Sequence, residues 1–142
     1  MDFTIRVAET AEAIRACYPV IVQLRPHLEA EEFLSQVLRQ RNGGYRLACL
    51  EAGGVVRAVA GYRSFETLAW GRICYVDDLV TDAESRSQNF GRAMFDWLLA
   101  RARETECNQL HLDSGVQRFD AHRFYLARRM AITSHHFAIP LR

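Results

Sequence analysis

Apolar and polar positions change their spacing several times along the chain, and each change predicts a new element. Apolar residues alternate with polar ones from Phe3 to Val7, which is typical of a half-buried strand. After Thr10 the spacing becomes helical. It is helical again over Leu28 to Arg41, and Asn42-Gly43-Gly44 follows as a stop. This part of the chain therefore predicts a strand followed by two helices.

The remainder predicts a hairpin and then alternating strands and helices. Two apolar, β-branched runs, Tyr45 to Glu51 and Val55 to Phe65, flank a glycine pair and predict the hairpin. The later segments predict a strand over Ile73 to Val80, a helix over Phe90 to Arg103, a strand over Gln109 to Leu112, a helix over Asp120 to Arg128 and a last strand over Ile132 to Ile139. A β-α-β-α-β order requires parallel pairing through right-handed crossovers. The predicted fold is α/β with a mixed sheet, antiparallel in its N-terminal half.

Composition favours one compact domain. The chain has 142 residues, close to the commonest domain size, and its apolar residues, 49% of the total, are spread along the whole length. No low-complexity or linker-like tract interrupts it. We therefore expect residues 1–142 to form a single domain.

Charge and residue types exclude several classes of function. The formal net charge is +1 and the 18 basic residues, all arginine, are interspersed with acidic ones, so we expect no nucleic-acid partner. The four cysteines are far apart and the histidines lack metal-binding spacing, so we expect free thiols and no metal. Without a signal-peptide pattern or a long apolar run, we expect a cytoplasmic protein with no membrane partner.

A strand, a polar loop and a helix start, Tyr75 to Met94, form the strongest candidate site. The free backbone N–H groups at the start of such a helix, together with its dipole, favour a phosphate. Asn89 and Gly91 tolerate the backbone conformations that close approach needs, and Arg86 and Arg92 add charged donors. An ordinary exposed helix start has the same residue types, so this pattern alone leaves both interpretations open.

A resemblance to a known family favours the phosphate site. Arg86-Ser87-Gln88-Asn89-Phe90-Gly91 resembles the Arg/Gln-x-x-Gly-x-Gly/Ala signature of the GNAT acetyltransferase superfamily, and the preceding Asp-Asp-Leu-Val is similar to its strand end. Phe124-Tyr125, followed by Met130, resembles the Phe-Tyr-x-x-x-Gly-Phe segment of that family. The resemblance implies an N-acetyltransferase that moves an acetyl or other short acyl group directly from coenzyme A to a primary amine of a small molecule or peptide.

The resemblance also implies which residues contact acetyl-CoA. Loop amides would bind its pyrophosphate, and a strand end would hold its pantetheine arm where two parallel strands splay apart. The residues implied are Leu79, Val80, Arg86, Ser87, Gln88, Asn89, Phe90, Gly91, Arg92 and Arg118. Three positions depart from the family pattern: Asn89 replaces a glycine, Arg129 replaces a later glycine, and Arg118 stands where asparagine is frequent.

Direct transfer needs a proton donor and a proton acceptor. The resemblance assigns the donor role to Tyr125, for which packing on an apolar helix face is the other interpretation. Asp77 and Asp78 are successive residues of one strand, so we expect at most one of them to face the cleft as the base. An ion pair with an arginine is an equally open interpretation for either carboxylate.

Candidate acceptor residues follow the next strand. Asp113 and Ser114 lie at its C-terminal end, where open α/β sheets bind ligands, although a plain turn also explains them. His122 on the following helix is a further substrate-binding candidate. Weaker candidates, for which packing is the plainer explanation, are Trp70, Tyr45 and Tyr62. A non-catalytic acyl-CoA sensor or partner-binding module is the alternative function, and a homodimer through the last strand stays open.

Overall fold

A computed structural model describes residues 2–142 of the chain. Its elements are β1 (Thr4–Val7), α1 (Ala11–Leu24), α2 (Ala30–Asn42), β2 (Arg46–Ala52), β3 (Val55–Thr67), β4 (Gly71–Thr81), a 3₁₀ helix (Ala83–Gln88), α3 (Phe90–Glu104), β5 (Gln109–Leu112) and α4 (Phe119–Ala127). All predicted helices and all predicted strands except the last are confirmed, with small shifts at their ends. The 3₁₀ helix lies in a segment predicted as loop.

The strands form one mixed sheet in the order β1-β2-β3-β4-β5. The first four pair antiparallel, with Thr4 opposite Glu51 and Thr67 opposite Gly71 at the ends of the ladder. A mixed sheet then requires β5 to run parallel to β4, and α3 supplies the crossover between them. The predicted fold class is confirmed.

Local sequence explains where the first elements begin and turn. The Thr10 hydroxyl oxygen accepts from the Ala13 backbone N–H at 3.1 Å and caps α1. Gly53 and Gly54 have φ values of 63° and 74° in the turn between β2 and β3, where a side chain would be strained. These residues fix the start of α1 and the register of the hairpin.

The chain packs as two compact units, Met1–His111 and Leu112–Arg142. The hydrophobic core belongs to the first unit, in which α1 and α3 each pack against β3 and β4. The largest fully buried side chains include Ile14, Ile21, Leu47, Phe90, Phe95 and Leu98. This core holds β4, which carries the two candidate carboxylates, in a fixed position.

β4 continues well beyond β5. It has 11 residues, whereas β5 has 4. The two strands begin side by side, because the Asn108 backbone N–H donates to the Arg72 carbonyl at 2.7 Å. Within the described residues, the second half of β4, residues 77–81, therefore has no strand beside it on the β5 edge.

The predicted last strand, Ile132 to Ile139, is wrong for the single chain. Residues 131–142 form neither helix nor strand, and all of them are exposed. A strand needs a neighbour for its backbone N–H and C=O groups, and no strand of the described chain pairs with this segment. The alternating sequence therefore lacks the pairing that would make it a strand.

Candidate active site

The connection between β4 and α3 ends at a left-handed residue. The 3₁₀ helix Ala83–Gln88 leads to Asn89, which has a φ of 63° and a ψ of 20°. These angles lie in the left-handed region, which asparagine was predicted to tolerate at this position. Asn89 makes no side-chain capping bond to α3, and the first turn of α3 carries no acidic residue. The N-terminal amides of α3 are thus left without a capping side chain, a state that favours an anion.

Hydrogen bonds from α1 and β3 hold this connection. The Gln23 side chain donates to the Asp82 carboxylate at 2.8 Å and accepts from the Ala83 N–H at 2.9 Å. Buried Ser85 donates to Asp82 and accepts from Arg57. The bond from Gln23 is the main cause that lowers the pKa of Asp82. These hydrogen bonds were not predicted from the sequence, because Gln23 and Asp82 are 59 residues apart.

The predicted cofactor-binding residues of this connection span the end of the 3₁₀ helix and the start of α3. Arg86, Ser87, Gln88, Asn89 and Arg92 are exposed, and Gly91 is half-buried. Phe90 differs from them, because its ring is buried and packs edge-on against Phe3 at 6.2 Å between ring centroids. Phe90 can therefore contact a ligand through its backbone but not through its side chain.

Asp77 and Asp78 take part in one ion-paired cluster. Asp78 accepts from Arg25 Nε at 3.0 Å and from the Tyr45 hydroxyl at 2.8 Å. Asp77 accepts from Arg63 Nε and Nη2 at 3.0 and 2.7 Å, and Arg63 lies over the Tyr45 ring. Arg25 also donates to the Asp77 carbonyl at 3.0 Å. Both carboxylates are thus paired with arginines, one of the two interpretations left open.

The two carboxylates do not alternate in direction as successive residues of a regular strand would, although only Asp78 lines the cleft described below. Gly61 pairs with Asp78, but the next residue, Tyr62, pairs with Val76, which leaves Asp77 as an extra residue on β4. Such a bulge breaks the alternation of side chains along the strand. Both carboxylates can therefore join one cluster.

Gly61 makes room for this cluster. A Cβ at Gly61 would overlap the Tyr45 hydroxyl and would lie 2.6 Å from Asp78 Oδ2. Tyr45 is 3% exposed, as its predicted role in packing requires, and it also holds Asp78. Burial, followed by the charge of Asp78, raises the pKa of Tyr45. The hydroxyl consequently stays a hydrogen-bond donor to Asp78.

A cleft of about 290 Å³ opens beside Asp78. It lies among the end of α1, the α1–α2 connection, α2 and β4. Its polar side chains are Arg25, His27, Gln36, Gln40, Tyr45 and Asp78. Asp77 does not line it. Arg25 was not predicted as a site residue, because its ion pair with Asp78 joins residues 53 positions apart in the sequence.

The second unit contains the predicted proton donor, Tyr125 on α4. Tyr125 is half-buried, and burial raises the pKa of its hydroxyl, with a smaller opposing effect from Arg118. Arg118 itself precedes the first residue of α4 as its N-cap. A tyrosine with a raised pKa keeps its proton at neutral pH, as a proton donor must.

The other candidates of the second unit lie in or near the loop before α4. His122 Nε2 donates to the Gly115 carbonyl at 2.8 Å, which ties its ring to the loop. Asp113 lies 3.5 Å from His136 Nδ1. The Ser114 hydroxyl is buried and has no hydrogen-bond partner in the described chain. Of these three side chains, Ser114 is the one with a polar atom left to satisfy.

Arg129 has a left-handed backbone conformation, which glycine adopts more easily than other residues. Its φ is 70°, and the Arg129 and Met130 N–H groups donate to the Leu126 and Tyr125 carbonyls at 3.0 and 3.1 Å. This pattern is a Schellman motif, which ends α4 at the expected place. A non-glycine residue adopts it at a cost of about 1–2 kcal/mol.

Comparison with known families agrees with this geometry. A family model described as the acetyltransferase (GNAT) family matches residues 7–130. The chain belongs to the GNAT acetyltransferase family. It is an N-acetyltransferase of a family that uses acetyl-CoA. The predicted family and enzyme class are confirmed.

Individual relatives are also N-acetyltransferases by name. The chain is 33% identical over 109 residues to the uncharacterized N-acetyltransferase YhdJ of Bacillus subtilis (strain 168), covering 76% of this chain and 77% of YhdJ. It is 30% identical over 121 residues to aminoalkylphosphonate N-acetyltransferase of Salmonella typhimurium (strain LT2), covering 82% and 78%. A solved aminoglycoside N-acetyltransferase, AAC(6')-Iy with CoA, has the same fold, with a TM-score of 0.86 and 11% identity over 99% of this chain and 95% of that one.

Residues 2–142 contain neither a membrane-spanning helix nor a candidate metal-binding cluster. No helix in this range is long and apolar enough to cross a membrane. No group of three or more histidine, cysteine, aspartate or glutamate side chains in the same range is placed to hold a metal ion.

Proposed function

We propose that residues 1–142 act as a single domain that transfers an acetyl group from acetyl-CoA directly to a primary amine of a small molecule or peptide. The observation that carries this proposal is the Asp78 carboxylate beside a cleft, on a strand that leads into the uncapped start of α3. A carboxylate can bind an ammonium group and accept its proton. The family supplies the acetyl transfer, and this arrangement supports an amine as the acceptor.

The residues around the start of α3 fit the pyrophosphate of acetyl-CoA. Asn89 has a left-handed backbone, and the first turn of α3 lacks carboxylates. Arg86 in the 3₁₀ helix and Arg92 in the first turn of α3 are both exposed. Leu79 and Val80 lie in the half of β4 that β5 leaves unpaired. Successive residues of a strand point their backbone groups to opposite edges, so one of these two residues is free to bond the pantetheine amides as a strand would. Acetyl-CoA supplies the activated acetyl thioester. Ser87, Gln88, Gly91 and Arg118 complete the proposed set.

Asp78 is the proposed base. It lines the cleft, its side chain is only 16% exposed, and the Arg25 and Tyr45 bonds fix its orientation. Each carboxylate oxygen has a second lone pair for an incoming amine. Asp77 is held on both oxygens by Arg63, so we assign to it a positioning role in the same cluster.

Tyr125 is the proposed acid, which returns a proton to the departing thiolate. Its assignment rests on the family resemblance of Phe124-Tyr125 and on the raised pKa of its hydroxyl. Asp113, Ser114 and His122 are proposed acceptor contacts. Among them the unsatisfied Ser114 hydroxyl gives the strongest support.

The charges of the cleft suggest which acceptors to assay first. Asp78 suits an ammonium group, while Arg25 and His27 suit an acidic group on the same molecule. One relative is named for aminoalkylphosphonates, which carry both groups. We propose small amines that bear a phosphonate or carboxylate as the first acceptors to test.

The alternative function, a non-catalytic acyl-CoA sensor or partner-binding module, does not agree with the family or with relatives named as N-acetyltransferases. The pairing of both carboxylates with arginines is the one observation in its favour, because an ion pair gives each carboxylate a structural role that needs no catalysis. Under either function we propose a cytoplasmic protein. The free thiols of Cys17, Cys49, Cys74 and Cys107 suit a reducing compartment.

Replacement of Gly91 by glutamate tests the cofactor site. Like charges about 4 Å apart near a protein surface repel by about 4 kcal/mol, so we expect Gly91→Glu to weaken acetyl-CoA binding by more than about 100-fold. Gly43→Glu is the matched control, because Gly43 has a negative φ and only ordinary contacts around its Cβ position. Calorimetric titration measures both. Wild-type protein that is folded but does not bind acetyl-CoA would refute the proposed function.

Paired substitutions test the base. We expect Asp78→Asn to lower kcat/KM by about 10² to 10⁴, the usual contribution of a general base. Asp77→Asn, the matched control on the next residue, should cost less than about 10-fold, because its carboxylate only positions the cluster. Thiol release during acetylation gives the rates, and thermal unfolding shows whether both variants are folded. A larger loss for Asp77→Asn would reverse the assignment.

Removal of the Tyr125 hydroxyl separates an enzyme from a sensor. We expect Tyr125→Phe to lower kcat by about 10² or more while the calorimetric Kd for acetyl-CoA changes little. Because the pKa of Tyr125 is raised above the ordinary tyrosine value of about 10, its hydroxyl stays protonated up to at least that pH. We therefore expect no loss of wild-type kcat from deprotonation of Tyr125 below about pH 10. A sensor would show acetyl-CoA binding but no turnover in either protein.

A further inference from the structure

The end of α1 is bonded to both parts of the proposed site. Arg25, the C-cap of α1, donates to the Asp78 carboxylate at 3.0 Å. Gln23, two residues earlier, bonds to Asp82 and Ala83, where the connection from β4 to α3 begins. The same helix end therefore contacts the proposed base and the segment that leads into the proposed pyrophosphate site.

The amide of Gln23 is used both as a donor and as an acceptor. Its Nε2 donates to Asp82 Oδ1 at 2.8 Å and to the Pro19 carbonyl at 3.1 Å. Its Oε1 accepts from the Ala83 N–H at 2.9 Å. Ala83 is the first residue of the 3₁₀ helix, so its N–H has no partner within that helix. An amide side chain supplies the donor and the acceptor that this position needs.

Asp82 extends these bonds into the connection. Its second oxygen, Oδ2, accepts from the Ser85 hydroxyl at 3.1 Å, and Ser85 is fully buried. Arg57 Nη1 donates to the same hydroxyl at 3.3 Å, and the Arg57 carbonyl accepts from the Asp82 N–H at 2.8 Å. Asp82 is thus fixed on both carboxylate oxygens and on its backbone.

The rest of the connection depends on its two ends. Residues 86–89 are exposed, and Asn89 makes no capping bond to α3. The buried ring of Phe90 holds the far end, and the bonds of Gln23 and Asp82 hold the near end. The position of the free α3 amides therefore depends on Gln23.

We infer that Gln23 is a positioning residue for acetyl transfer: its amide holds the connection ready for the pyrophosphate of acetyl-CoA, at a set distance from the Asp78 carboxylate that Arg25 holds. This inference rests on the proposed cofactor site. Gln23 acts through Asp82 and Ala83 rather than by touching the cofactor. A connection that takes the binding conformation for only part of the time lowers the apparent affinity by that fraction.

Replacement of Gln23 by leucine removes both bonds without changing the charge. We expect Gln23→Leu to raise the Kd for acetyl-CoA about 10-fold, the value for a connection that is ready about a tenth of the time. The unfolding temperature should change little, because water replaces the partners of an exposed hydrogen bond. Gln109→Leu, at an exposed glutamine of β5 outside the proposed site, is the matched control. Calorimetric titration and thermal unfolding measure the two effects.

An exchange of the two side-chain types tests whether the hydrogen bonds themselves matter. In Gln23→Glu with Asp82→Asn, the carboxylate at position 23 still accepts from the Ala83 N–H, and the amide at position 82 supplies the donor. The net charge is unchanged, and only the bond to the Pro19 carbonyl is given up. We expect this pair to bind acetyl-CoA within about 3-fold of wild type, because coupled partners restore each other.

Hydrogen exchange without ligand follows the connection directly. Amides of residues 83–92 should exchange about 10-fold faster in Gln23→Leu than in wild type or in the exchanged pair, because the connection opens more often. If Gln23→Leu does not fold, the comparison of Gln23→Glu alone with the exchanged pair decides in both measurements.

The outcomes separate this inference from the proposed function. Folded Gln23→Leu that binds acetyl-CoA as tightly as wild type would overturn the inference and leave the proposed function standing. Weakened binding that the exchanged pair does not restore would also overturn it. Wild-type protein that does not bind acetyl-CoA would refute the proposed function and this inference together.

Discussion

The proposed site depends on the unpaired edge along the second half of β4. β5 begins beside Arg72 and ends after 4 residues, so the backbone of residues 77–81 has no neighbouring strand there. A polar backbone edge inside a fold needs partners. The same stretch of strand carries both candidate carboxylates and leads directly into the uncapped start of α3. One strand therefore aligns the proposed cofactor contacts with the proposed base.

The bulge opposite Gly61 brings the two carboxylates of β4 into one cluster. A regular strand would turn Asp77 and Asp78 to opposite faces, whereas the extra residue lets both join a cluster with Arg25, Tyr45 and Arg63. Two arginines balance two aspartates, which makes partial burial of the carboxylates tolerable. The formal charges of the cluster sum to zero, and its hydrogen bonds fix the orientation of both carboxylates. Of the two carboxylates, only Asp78 lines the cleft.

Prediction from the sequence succeeded for features that depend on residues close together in the chain. The spacing of apolar residues predicted the four α-helices of residues 2–142 but not the 3₁₀ helix, and the residue type of Asn89 predicted its left-handed backbone. It failed for contacts between residues that are distant in sequence. The Arg25–Asp78 ion pair and the bulge depend on how the elements align in three dimensions, and the spacing of apolar residues does not predict that alignment. The segment Ile132 to Ile139 failed for a related reason, because alternation predicts a strand without saying what pairs with it.

Hydrogen exchange with and without acetyl-CoA tests the central claim most directly, because it follows the β4 edge itself. We predict that acetyl-CoA slows exchange of amides in residues 77–81 and at the start of α3, while the exposed Gly53-Gly54 turn is unchanged. If acetyl-CoA slowed amide exchange only at the start of α3, the β4 edge would have no role in binding acetyl-CoA. Binding with no change in either segment would contradict the whole account of the site.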